Sequence, residues 1–285
     1  MTCCVDFHTH SIASDGRLSP ADLVRRACAN GVRYLALTDH DTTAGIAEAR
    51  AAAVGTGLEV VPGVELSVSW ENQCLHILGL NIDPRQASLA RGLESLQNLR
   101  LSRANEMGRR LEKKGIAGCF EGASRLAGKG MITRAHFARY LVNQNHCPTI
   151  QKAFDQYLGQ GKAGYVQTRW VEMETGIGWI NRAGGVAVLA HPIRYKIAAT
   201  RMKKLLEDYR AAGGRAIEVV CGNSTHDDIQ TSARYAREFG FMASLGSDFH
   251  SPDTTWIDIG RLKPLPDNVE PVWKELGIRL NSVVI

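Results

Sequence analysis

The first third of the chain alternates short apolar runs with amphipathic stretches. Cys3–Phe7, Arg33–Thr38 (RYLALT) and Glu59–Val64 read as buried strands, because each is brief, apolar and bounded by turn residues. Between them, Ser19-Pro20 supplies an N-cap followed by proline at the first helical position. That opens a helix expected to end near Asn30-Gly31. Ala44–Ala53 is a second helix, stopped by Gly55 or Gly57, and Ser67–Trp70 with Leu75–Gly79 reads as a hairpin around Glu71-Asn72. This β-α-β-α rhythm predicts parallel strands covered by helices.

The pattern then changes. Arg85–Lys114 is one long helical stretch rich in Leu, Arg and Ala, ended by Gly115, with shorter helical pieces at Thr133–Asn143 and Thr149–Leu158 and a glycine-rich linker at Gly159–Gly164. No strand pattern interrupts it, so 85–169 is expected to be a mainly helical insertion. The alternation returns with a helix at Val171–Ala183, a strand at Gly185–Ala190, a helix at Arg201–Ala212 and a strand at Ala216–Val220. A helix at Ser224–Phe239 and a strand at Phe241–Leu245 complete it, and from Ser251 the chain is expected to wind over the surface. Roughly seven short strands separated by helices predict a closed or nearly closed α/β barrel from 1–84 and 170–285.

Charge sharpens this division. The whole chain carries a net +5, but 85–169 holds 15 Lys or Arg against 5 Asp or Glu, leaving the remainder mildly acidic. Such a run is commonly a solvated helical face. Over a catalytic mouth it would instead be a basic lid that draws in an anionic substrate. With 44% hydrophobic and 22% charged residues, a packed core is expected. No apolar run approaches the roughly 18 residues a membrane span needs. Met1–His10 lacks the basic and apolar pattern of a leader, so a cytoplasmic location is the expectation. The cysteines number seven, with no CxxC pair, which points away from a disulfide framework or a thiolate zinc site.

The nine histidines carry the chemistry. His8 and His10 alternate at the end of the first strand, so both imidazoles share one face. Asp15 follows in Ser14-Asp15-Gly16. His40 follows the second strand in Thr38-Asp39-His40-Asp41, Glu65 ends the third, and His76 lies on the hairpin. His191 follows Val186–Ala190 and precedes Pro192. Asp248 and His250 follow the last strand in Gly246-Ser247-Asp248-Phe249-His250. Each strand thus delivers a donor near its C-terminal end, the face on which α/β barrels carry their sites. Imidazole with carboxylate and no thiolate suits zinc, manganese or iron. Nine donors exceed one ion and suffice for two or three.

These motifs, His8-Thr9-His10-Ser11, Ser14-Asp15-Gly16, Thr38-Asp39-His40-Asp41, the isolated Glu65 and His76, Ala190-His191-Pro192 and Ser247-Asp248-Phe249-His250, together resemble the PHP (polymerase and histidinol phosphatase) family. The resemblance covers about 1–80 and 170–255. It implies a distorted (β/α)7 barrel with a trinuclear site holding three divalent ions, Mn2+ first, with Fe2+ or Zn2+ as other candidates. Carried onto this sequence, His8, His10, Glu65 and Asp248 would hold one ion. Glu65 would bridge to a second held also by His76 and His191, and Asp15, His40 and His250 would hold the third. Asp39 and Asp41 would orient imidazoles.

Three divalent ions offset by Asp15, Glu65 and Asp248 leave a cationic pocket suited to phosphate, attacked in line by a metal-bridging hydroxide. No catalytic Ser or Cys is required, and Gly159–Gly164 lacks the ending of a phosphate-binding P-loop. Within the insertion, Arg134, His136 and the terminal Arg169 are the expected phosphate clamp. Asn223, Thr225 and His226, after the Ala216–Val220 strand, are expected either to contact substrate or to cap the next helix, and His136 or His226 is the candidate proton donor.

Small PHP enzymes with such an insertion are similar to nucleoside 3′,5′-bisphosphate phosphatases, some acting as 5′-to-3′ exonucleases on short 5′-phosphorylated RNA. The expected partner is therefore a small anionic nucleotide or short oligonucleotide, with neither a membrane nor an obligate protein partner. A histidinol-phosphatase-like monophosphatase and a non-catalytic nucleic-acid-binding module are alternatives, and a third is a phosphodiesterase on longer nucleic acid, which would want a long basic groove with exposed aromatics, against an aromatic content of only 7%. The basic insertion weighs against the first, and the complete ligand set against the second.

Overall fold

Apolar runs become parallel strands where helices cover both faces. The computed structural model describes residues 4–280. β1 (Val5–Thr9) is buried throughout and pairs in parallel with β2 (Tyr34–Leu37). The first strand was expected from Cys3, which lies outside the described residues. α1 (Pro20–Ala29) crosses between them, its Ser19 cap accepting from Asp22 N. α2 (Ile46–Ala53) leads to β3 (Glu59–Trp70), which lies parallel to β2 and antiparallel to β4 (Gln73–Leu80) across the turn at Glu71-Asn72.

β3 is one twelve-residue strand rather than the two separate runs expected. Glu65 and Leu66 stay in the ladder, opposite Leu78 and Ile77, so the buried acid that looked like a strand end is a strand interior. The insertion begins with α3 (Ala87–Glu112), 26 residues long, followed by α4 (Cys119–Ala127), α5 (Arg134–Asn143) and α6 (Ile150–Ala153), which runs into a π-helical turn to Leu158. α4 was not expected, because Gly118, Gly122 and Gly128 dilute its helical pattern. Gly122 is needed there for packing: a Cβ at that position would lie 2.0 Å from the Tyr140 ring of α5.

β5 (Val171–Glu172) branches from β3, off the ring of strands, and shortens the following helix, α7, to Met173–Arg182. The expected helix began two residues earlier. Those residues are captured instead by Val68 and Ser69, and Trp170 N donates to Ser69 Oγ at 2.9 Å. β6 (Val186–Leu189), α8 (Ala199–Ala211), β7 (Ala216–Cys221), α9 (His226–Phe239) and β8 (Met242–Gly246) restore the α/β order.

The sheet order β1-β2-β3-β4-β6-β7-β8 returns on itself. Asp248 N donates to His8 O at 2.8 Å and His10 N to Phe249 O at 3.0 Å, joining the end of β8 to β1. The result is a distorted (β/α)7 barrel in which β4 alone among the ring strands runs antiparallel to its neighbours. Leu89, Leu93 and Leu96 at the start of α3 belong to the barrel core. Ala104, Met107 and Leu111 further along join a second apolar cluster with α4, α5 and α6. By packing, the transition from barrel to helical unit therefore falls within α3. No helix of the described residues is long and apolar enough to cross a membrane.

Candidate metal centre

Seven strands converging on one barrel end bring side chains from distant parts of the chain together. His8 lies in β1, Glu65 in β3 and His76 in β4, whereas His10, His40, His191, Asp248 and His250 lie just past strand ends. Asp15 sits in a tight turn closed by Gly16 N donating to Ser11 O at 2.9 Å. A Cβ on Gly16 would lie 2.2 Å from His10 O, so only glycine lets the turn bring Asp15 over the cup. His191 (φ 34°) and Asp248 (φ 54°) adopt left-handed backbone, a cost usually sustained where a side chain must be aimed.

Glu65 is the hub. Its Oε1 is 2.9 Å from His76 Nδ1, 3.3 Å from His191 Nε2 and 3.4 Å from His8 Nε2, and its Oε2 is 2.8 Å from His40 Nδ1 and 3.3 Å from His10 Nε2. Asp248 Oδ1 is 3.3 Å from His10 Nε2, 3.4 Å from His8 Nε2 and 3.5 Å from His250 Nδ1. Asp15 Oδ1 is 3.4 Å from His250 Nε2, and Asp15 Oδ2 is 4.0 Å from His40 Nε2. All nine expected donors thus face one cup, sealed at His8 and His10 and open towards His250.

The buried carboxylates and imidazoles hold one another in opposed protonation states. Burial opposes charge on Glu65, but His40, His76 and His8 hold it well below the usual carboxylate range. Burial likewise opposes charge on Asp248, overcome by His8, His10 and His250. Burial pulls His10 down, yet Asp248 and Glu65 raise it to about 9. His76 rises to about 10 against the same burial, whereas burial wins at His40, which falls to about 4.

A further set of groups fixes this array. His8 Nδ1 donates to Glu218 Oε1 at 2.9 Å, and the other oxygen of Glu218 accepts from His191 N at 2.7 Å. Asp39 and Asp41 do not hydrogen-bond an imidazole, contrary to expectation. Asp39 accepts from Ser11 N (2.8 Å), Ser11 Oγ (2.7 Å) and Ser14 Oγ (2.6 Å), so it ties down the turn that carries Asp15. Asp41 accepts from Ser67 N at 2.7 Å and from the buried Arg100 of α3, linking the insertion to the strand that carries Glu65.

The donor set fits divalent cations. His40 Nδ1, His76 Nδ1 and Glu65 Oε2 are buried without hydrogen-bond partners, although each lies close to an opposing donor atom. Close approach without hydrogen-bond direction is what shared cations produce. Three overlapping sets, His8–His10–Glu65, His40–Glu65–His76 and His10–Asp15–His40–His250, each gather their ligand atoms within 4.8 Å.

Above the cup lies a cavity of about 1140 Å³, lined by Asp15, His40, His76 and His250 and by Arg100, Arg103 and Arg134. Among the described residues neither Arg103 nor Arg134 forms an ion pair, and Arg103 Nε is buried without a hydrogen-bond partner, its guanidinium lying over the Trp170 ring at 5.4 Å. Burial, with Arg134 and Arg100 adding repulsion, pulls Arg103 down to about 9.

Of the residues expected to meet substrate, Arg134 lines this cavity, and the rest do not. His136 is buried, and its Nδ1 accepts from Thr133 N at 3.0 Å as part of the α5 capping box. Burial pulls it to about 4. Arg169 is exposed and paired with Glu172 at 2.7 Å, because the chain there turns outward into β5. Thr225 caps α9, accepting from Asp228 N at 3.2 Å, and His226 is the exposed first residue of that helix. Asn223 lines a separate cavity of about 220 Å³ behind His191, beside Arg194, which pairs with Asp248. The sequence reading missed Arg100, Arg103, Arg194 and Glu218. A signal existed for Glu218 alone: a lone acid inside the otherwise apolar strand Ala216–Cys221.

A family model described as the PHP domain matches residues 6–166. A 3′,5′-nucleoside bisphosphate phosphatase of Chromobacterium violaceum is 47% identical over 97% of this chain and 97% of its own length. A 5′-3′ exoribonuclease of Haemophilus influenzae is 46% identical over 96% of this chain and all of its own. A solved structure of an amidohydrolase from C. violaceum, with bound sulfate and no metal, superposes with a TM-score of 0.92 at 46% identity, covering 96% of each chain.

Proposed function

The chain belongs to the PHP family, and from that premise we propose that it is a metal-dependent phosphoesterase removing phosphate from nucleoside 3′,5′-bisphosphates. Short 5′-phosphorylated RNA, degraded 5′ to 3′, is the second use of the same site. The relatives' activities support both uses. The observation that carries the bisphosphate reading is the pair Arg103 and Arg134, cationic and without carboxylate partners, facing the cavity that opens onto the cup. A substrate with two phosphates satisfies both ends: one phosphate at the cup, the other on the arginines.

We assign three ions to the nine donors, with manganese the first to test and Fe2+ and Zn2+ next. Bound ions supply Lewis acidity and a water nucleophile that ionises near neutral pH. The chain's own residues do the positioning. Glu218 holds His8 so that its Nε2 faces the cup, and Asp39 holds the Asp15 turn. The Arg100–Asp41 contact keeps α3 seated on the barrel, with Arg103 one helical turn further along. In this reading 85–169 acts as the substrate-recognition lid over the 1–84 and 170–285 barrel. A cytoplasmic setting belongs to the proposal and is supported by the nucleotide substrate class and the odd set of seven cysteines.

The test is turnover with Mn2+, read as phosphate release from adenosine 3′,5′-bisphosphate, mononucleotides, histidinol phosphate and an aryl phosphate, and as nucleoside 5′-monophosphate release from short 5′-phosphorylated RNA. The bisphosphate and the short RNA should lead. Arg134→Ala should lower kcat/KM for the bisphosphate, relative to the aryl phosphate, by about ten- to a hundredfold, the usual loss for a charged hydrogen bond. Equal rates on all substrates, or an unchanged ratio in the variant, would refute the two-phosphate reading.

A further inference from the structure

Single exposed apolar side chains are ordinary on a protein surface; a cluster of them at one opening is not. Six large hydrophobic side chains are exposed among the described residues, and four of these, Ile12, Leu126, Ile150 and Trp256, line the cavity above the metal cup. They come from separate places in the chain: the loop after β1, α4, α6 and the loop after β8. Trp256 is 73% exposed and makes no hydrogen bond or ring contact with a described residue. It follows His250 by six positions, so the loop that carries a cup donor also carries the aromatic rim.

The same cavity holds Arg103 and Arg134, neither of them in an ion pair among the described residues, and Arg17, which pairs with Asp253 at 3.9 Å. An occupant must therefore offer apolar faces to the rim and anionic groups to the arginines. Single-stranded nucleic acid has that alternation, with phosphates tracking a basic groove and bases stacking on aromatic side chains. The cavity, at about 1140 Å³, also exceeds the ~300–1,000 Å³ that commonly encloses one small ligand. We propose that Trp256, with Ile12, Leu126 and Ile150, forms a stacking subsite for the base of the nucleotide that follows the first, selecting a 5′-phosphorylated oligonucleotide over a mononucleotide. This rests on the phosphoesterase reading above and adds to it the residues that set substrate length. Stacking is tolerant of base identity, because every base presents a π face. The subsite accordingly confers length preference rather than sequence preference.

The experiment compares kcat/KM of the Mn2+-loaded enzyme for 5′-phosphorylated triadenylate with that for adenosine 3′,5′-bisphosphate. In Trp256→Ala the ratio of trinucleotide to bisphosphate should fall about five- to 150-fold, the loss that alanine substitution of a base-stacking aromatic gives. The change should lie mainly in KM, and Trp256→Phe should restore most of it. Ile150→Ser, on a different element, should move the ratio in the same direction by less, which guards against misfolding of the 251–256 loop. An unchanged ratio overturns the subsite. So does a wild-type enzyme that turns over the bisphosphate but no oligonucleotide, or a variant whose only change is its oligomeric state by light scattering, which would make the rim a contact between copies. If the wild type hydrolyses neither substrate, the phosphoesterase reading itself fails, a result distinct from all of these.

Discussion

Glu218 offers the most direct test of how this fold prepares its metal cup. It is buried, with one oxygen 2.9 Å from His8 Nδ1 and the other 2.7 Å from His191 N. Glu218→Gln keeps the volume but has only one accepting oxygen. Whichever donor that oxygen keeps, the amide NH2 faces the other, leaving a buried donor opposed by a donor. The cost of one unmatched buried group is about 1–3 kcal/mol, and more when the lost partner is charged. If the amide turns away from His8, that ring is free to change tautomer and its Nε2 no longer reliably faces the cup. If it turns away from His191 N, the left-handed backbone at His191 loses a restraint. Loss of such a supporting partner typically weakens metal binding about ten- to a hundredfold. By mass action, that removes about 1.4–2.7 kcal/mol of metal-dependent stabilisation at a fixed excess of Mn2+. Titration calorimetry with Mn2+, together with thermal unfolding with and without metal, reads both quantities without turnover. A Glu218→Gln protein with wild-type Mn2+ affinity and a wild-type metal-induced rise in Tm would show that His8 and His191 are oriented by other contacts.

Two further outcomes follow from charge. Burial opposes protonation of His8, His10 and His76, but neighbouring carboxylates raise all three. Imidazole must be neutral to bind a metal, so loading near pH 7 should expel about two or three protons per chain, and affinity should fall as pH falls. Calorimetric heats that are identical in buffers of different ionisation enthalpy would contradict this. Outside the cup, Asp258 accepts from Arg26 Nε at 2.6 Å and from its NH2 group at 3.0 Å, tying α1 to the chain after β8. Burial works against the charge on Asp258, but Arg26 lowers its pKa below the ordinary 3.8. Its stabilisation is therefore complete above that value and is lost as pH drops through it toward the depressed folded value. Asp258→Asn should cost about 1–2 kcal/mol in denaturant unfolding at pH 7 and less near pH 4; a difference that grows on acidification would refute the assignment.

What the sequence revealed and what it hid divide along a physical line. The donors were legible because strand periodicity and strand ends locate side chains by backbone geometry alone: His8 and His10 had to share a face, and Asp248 and His250 had to sit beyond the last strand. The cup is thus local geometry repeated around a ring. The substrate-facing groups follow a different rule. Arg103 reaches the cavity because Arg100, three residues earlier on α3, is anchored to Asp41 on the barrel, and that tertiary contact leaves no mark on helical periodicity. His136 carried the same chemistry as a ligand histidine, yet it was claimed by the cap of its own helix, since a side chain next to a helix start competes for unpaired backbone N–H groups. Arg169 was drawn outward when Val171 and Glu172 paired with β3 instead of beginning a helix. The barrel's own residues are therefore placed by repeats that any single sequence displays, whereas the insertion's residues are placed by how its helices pack. On the proposed function, the metal chemistry would be a property of the ring strands, and substrate choice a property of how α3, α5 and the 251–256 loop meet above it. Exchanging the 85–169 segment between relatives of this family should then change which phosphate ester is hydrolysed while leaving Mn2+ stoichiometry unaltered.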